Sequence, residues 1–209
     1  MVWARAALEA LTAQLTQEGY QFARPARALV GPSTEVAELI AAMEQRVGPI
    51  PLAVGLMWSI IGSVDLTGGF PDWETTSLRL SGGKEGPQIW LSDALVIAPP
   101  REVLARLEDD PELVGLPLWP DALHKAGYSG DPETCAEVPS SDVDAILFKE
   151  AGAWPGGQPT TLTRYLRWAI GEHAGFPGLR DCERAKPRLT RLKARIPVFS
   201  AEDLDASFT

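Results

Sequence analysis

Residues 51–62 read PLAVGLMWSIIG, and no other stretch restricts the fold of this chain as strongly. Pro51 has the fixed φ and the missing N–H that suit a first helical position, and Gly62 stands where a helix would end. A helix apolar on every side offers nothing to water, so the stretch predicts a helix buried all round, with the rest of the chain packed about it. It does not predict a membrane span. The apolar run from Ile50 to Ile61 is broken by Pro51, Gly55 and Ser59 and falls short of the ~20 residues a span requires.

Two amphipathic helices are expected ahead of it. Between Val2 and Gly19, Leu8, Leu11 and Leu15 recur at spacings of three and four, and Gly19 stands in a closing position. In PSTEVAELIAAMEQRVG, Val36, Leu39, Ile40 and Met43 form the apolar face, Ser33 or Thr34 is the expected N-cap, and Gly48 closes. Residues 60–73, IIGSVDLTGGFPDW, then pose a question of role. SVDLTG reads as a short strand with Asp65 inside it, and Gly68, Gly69, Pro71 and Asp72 read as turn formers.

Downstream, TTSLRLS and QIWLSDALVIAPP alternate as strands, PREVLARLEDD returns to helical spacing, and 114–149 is irregular apart from strands in ETCAEVP and DAILFKE. TTLTRYLRWAIGEHAG is the clearest late helix, with Leu162, Tyr165, Leu166 and Ile170 on one face. No repeat or low-complexity linker divides the chain. The expected fold is α+β, one domain over 1–209: a core at about 34–178 with a central antiparallel or mixed sheet packed by helices, a helical N-terminal part, and a basic extension at 179–209.

Charge narrows the partner class. The formal net charge is −9 at pH 7, yet residues 180–195 carry seven Lys and Arg against Asp181 and Glu183. An acidic body repels nucleic acid and anionic lipid, and the arm lacks aromatic residues on which bases would stack, so its expected use is intramolecular. Nucleic acid and membrane are therefore not expected partners, and a basic protein is. The two cysteines, Cys135 and Cys182, and the two histidines show no metal-ligand spacing, so neither a disulfide nor a zinc site nor a cofactor is expected. With no apolar leader at the N-terminus, the expected compartment is the cytoplasm.

Residues able to carry chemistry are few. GxSxG, GxGxxG and P-loop patterns are missing, so no catalytic residue is assigned. Asp65 interrupts an apolar stretch and could work with a second carboxylate, with Asp72, Asp93, Asp142 and Asp144 as the candidates, in hydrolysis, or could instead accept backbone N–H bonds at a strand end. Trp73, Trp119 and Trp154 lie near prolines in expected loops, where a ring either anchors a partner or folds onto the core. Asp65, Asp72, Trp73, Trp119 and Trp154 form the candidate recognition surface.

PLAVGLMWSIIGSVDLTG, the PDW turn, DALVIAPP, LHKAGYSG at 123–130 and YLRWAIGEHAGFPG at 165–178 follow one another along the chain. This order of pieces resembles the SUKH superfamily, which contains fungal cell-wall assembly regulators and bacterial toxin-immunity proteins. It implies an α+β recognition scaffold without common catalytic residues. Pro51, Trp58, Gly62, Asp65 and Gly68 would form a helix-to-strand corner, and Asp93, Leu95 and Val96 the entry of the next strand. On that resemblance the chain is expected to neutralise a cognate toxin. The alternatives are a hydrolase centred on Asp65 and a regulatory module acting through the 180–195 arm.

Overall fold

The computed structural model describes residues 1–71, 73–74, 94–119, 134–148, 160–179, 182–183 and 185–198. Helix α1 (Val2–Gln17) buries Leu8, Leu11 and Leu15, the residues whose spacing predicts it. Gly19, at φ 83°, closes the helix: its N–H donates to Thr16 O, and the Tyr20 N–H donates to Leu15 O. A left-handed residue at this place satisfies carbonyls that a helix end leaves open. Helix α2 (Val36–Val47) begins later than Ser33 or Thr34 would set it, with Glu35 in the capping position. The Ser33 hydroxyl accepts the Glu35 N–H instead, a local turn ahead of the helix.

Helix α3 (Leu52–Leu56) is preceded by Pro51 and continues as a wider π-helical turn, Met57–Ile61. Val54, Met57, Trp58 and Ile61 are fully buried, and the Trp58 indole N–H donates to Ala98 O at 3.0 Å. The helix is not buried all round: Leu52 is 55% and Leu56 40% exposed. Apolarity makes a residue buriable, but whether it is covered depends on how much chain the fold brings to that side.

The strands form three short antiparallel sheets rather than one central sheet among the described residues. β1 (Gln21–Phe22), β4 (Gly68–Phe70) and β5 (Trp73–Glu74) form one, in the order β1-β4-β5. β2 (Leu29–Val30), β3 (Ser63–Asp65) and β6 (Val96–Ile97) form the second, with β3 in the middle. β7 (Leu116–Trp119), β8 (Thr134–Ala136), β9 (Ile146–Phe148) and β10 (Thr160–Thr161) form the third, each strand beside its neighbour in sequence. The Ala98 N–H donates to Leu118 O at 2.9 Å, tying the second sheet to the third. The α+β class is as expected. The strands expected within 75–93 and the loop at 151–159 lie outside the described residues.

Gly68 and Gly69 belong to a strand, not to a turn. A Cβ at Gly68 would lie 2.2 Å from Gln21 O and 2.8 Å from a Tyr20 ring carbon, so the glycine is there to let β4 approach β1. Trp73 and Trp119 likewise stand in β5 and β7, not in loops: Phe70 pairs with Trp73, and Trp119 with Thr134. Ladder pairing overrides the turn signal of the adjoining prolines.

Helix α4 (Pro100–Asp109) buries Val103 and Leu107. Helix α5 (Leu162–Leu166), with the π-helical turn Arg167–Glu172, buries Leu162, Tyr165, Leu166 and Ile170, the predicted face. The basic arm folds as α6 (Lys186–Lys193) against α1. Leu189, Leu192 and Ile196 are buried there; the Gln14 amide donates to Arg191 O, and the Trp3 indole N–H donates to Pro197 O at 2.8 Å. One hydrophobic cluster therefore runs from Trp3 to Ile196. No described helix is long and apolar enough to cross a membrane.

Candidate functional site

The corner after α3 is where chemistry was to be sought, and its construction begins with a glycine. Gly62 sits at φ 85°, and a Cβ there would meet Val30 O at 2.2 Å. Only glycine turns the chain out of the helix this tightly while β2 presses against it. β3 follows, and its pairing of Asp65 with Val96, together with a bond from the Asp65 N–H to Ala28 O, fixes where the carboxylate lies.

Asp65 is 5% exposed, and both of its carboxylate oxygens are engaged. Oδ1 accepts the Thr67 N–H at 3.1 Å and the Thr67 hydroxyl at 2.5 Å. Oδ2 lies 2.6 Å from Arg24 Nε. Burying a carboxylate is costly unless it is paired and hydrogen-bonded, and here both conditions are met. The aspartate thus staples three pieces of chain: the loop with Arg24, strand β3, and the turn into β4. Around it, the Tyr20 hydroxyl donates to Leu66 O at 2.6 Å, and the Leu66 N–H donates to Leu95 O.

This arrangement holds a fold corner, and among the described residues the Asp65 carboxylate meets Arg24 and Thr67 and no second carboxylate. Asp144 serves elsewhere, accepting the N–H groups of Ala145 and Thr163 and the Thr163 hydroxyl at the start of α5. Asp142 is exposed. Asp72, Asp93 and Trp154 lie outside the described residues. Trp73 is near Asp65 in sequence but stands in a different sheet, as does Trp119, so the structure places the three described members of the candidate surface on three separate sheets.

Among the described residues no group of three or more His, Cys, Asp and Glu could hold a metal ion. Cys135 is buried and Cys182 half-buried, and neither forms a disulfide among the described residues. Three of the arm's cations face the body: Arg188 and Arg191 lie 3.8 and 4.0 Å from Glu18, Arg195 donates to Gln17 Oε1, and the Arg188 guanidinium stands 3.9 Å from the Phe70 ring centroid. Sequence reasoning missed the exposed aliphatic side of α3. The four-residue spacing of Leu52 and Leu56 was its available signal.

Comparison with family models, curated proteins and solved structures finds no match for the chain.

Proposed function

We propose that the chain is a non-enzymatic protein-recognition scaffold of SUKH-like type, and that it neutralises a basic toxin domain by binding it. The observation that carries this reading is the placement of charge. Arg188, Arg191 and Arg195 are turned toward α1, so these three cations of the arm are met within the molecule, and the formal charge of the whole chain is −9. An acidic surface speeds encounter with a basic partner and suits the covering of a nucleic-acid site. The commitment of Asp65 to folding contacts adds support, because it leaves a carboxylate-centred hydrolytic reading without its second acid among the described residues. A regulatory module working through the arm draws no support from an arm whose apolar side is spent on α1.

Affinity capture of the tagged protein from its own host, at low and moderate salt, tests the reading. A stoichiometric basic protein that elutes with salt is the expected result. A column empty across growth conditions would overturn it.

A further inference from the structure

Leu52 and Leu56 stand one turn apart on α3 and are 55% and 40% exposed. The Leu52 N–H donates to Asp142 O at 3.2 Å and the Ala53 N–H to Val143 O at 2.8 Å, which lays the loop between β8 and β9 along the first turn of the helix. Val143 on that loop is 73% exposed. Single exposed aliphatic residues are ordinary, whereas neighbouring ones on two adjoining elements give a partner a contiguous apolar footing. On the other flank, half-buried Ile40 of α2 reaches Gly55: its Cδ1 would lie 3.6 Å from a Cβ placed there.

Acids rim this surface. Asp142 and Glu44 are exposed; Glu44 accepts the Ile50 N–H, and neither has a cationic partner among the described residues. Three acids in and beside α2 and α4 are instead paired within the chain: Glu35 with Arg101, Glu102 with Arg27 and Glu108 with Arg46. Unpaired carboxylates at the edge of an aliphatic strip complement a partner that carries cations beside its own apolar stripe.

We propose that Leu52, Leu56 and Val143, rimmed by Glu44 and Asp142, dock a basic amphipathic helical segment of a protein partner. This rests on the recognition reading above and assigns it a surface away from the Asp65 corner. Leucines one turn apart on the partner match leucines one turn apart on α3, and flanking lysines or arginines meet the two acids.

The test uses the full chain and a fluorescent leucine–lysine peptide patterned as an amphipathic helix, with a scrambled peptide of the same composition as control. Fluorescence anisotropy is expected to show the patterned peptide binding about tenfold tighter than the scrambled one. The double variant L52D/L56D and, independently, V143D are expected to weaken binding by about tenfold while V198D, at the far C-terminal segment, does not. Unchanged melting temperatures for these variants exclude unfolding as the cause. Equal binding of both peptides, equal binding by native protein and variants, or no binding would overturn the proposal. So would a native dimer that L52D/L56D dissociates, since a second copy would then occupy the surface. If a captured host partner is retained undiminished by L52D/L56D and V143D, the surface is wrong while recognition stands. If capture is empty yet the patterned peptide binds selectively, the surface stands and the toxin reading falls.

Discussion

At the scale of the residue, the corner after α3 turns on a few atoms. Asp65 is buried, but Arg24 is nearly half exposed, so their ion pair is partly screened. Asp65→Asn keeps the shape and loses the charge-assisted bonds, and is expected to cost about 1–2 kcal/mol in urea unfolding. Thr67→Val, which removes the 2.5 Å bond, is expected to cost about 1 kcal/mol. Glycine positions separate by sign. Gly62→Ala places a Cβ against Val30 O at a positive φ and should destabilise by about 2–4 kcal/mol. Gly55→Ala sits in a helix with ordinary space toward Ile40 and should stabilise by about 0.5–1 kcal/mol, measured the same way.

At the scale of the element, α6 shows which of its two faces holds it. Arg188 and Arg191 are partly exposed and their distances to Glu18 are long, which makes each pair worth little. Leu192 is fully buried against the body. Leu192→Ala is therefore expected to cost about 2–4 kcal/mol, whereas Arg191→Ala should cost less than about 0.5 kcal/mol. Hydrogen exchange of the α6 amides gives the local readout: faster in the leucine variant, unchanged in the arginine one. Periodicity made α1, α4 and α5 with its π-helical turn legible because an amphipathic helical stretch of several turns writes its core face into each of them. β1 and β2 were not legible, because two-residue strands have no alternation to read and exist only through their partners β4 and β3.

At the scale of the whole molecule, one cluster joins Trp3 of α1 to Ile196 beyond α6. A shared core couples its elements, so thermal unfolding is expected as a single transition with calorimetric and van't Hoff enthalpies in agreement. Charge acts over the same scale. Association with a basic partner is expected to slow by roughly tenfold between low and moderate salt, with dissociation changing less, as read by surface plasmon resonance.

Local pattern by itself determined that this chain is α+β, where its main helices run, that its net charge is acidic and that Gly62 ends the helical stretch opened by α3. These follow from propensity, periodicity and charge, which are properties of neighbouring residues. Tertiary structure decided that Asp65 is a staple rather than a free acid, because Arg24 becomes its neighbour only when the loop before β2 folds over β3, and that contact joins the local bonds from Thr67. It also decided that the most apolar helix leaves Leu52 and Leu56 in water. Coverage depends on what the rest of the chain brings to each side, and no local pattern records that.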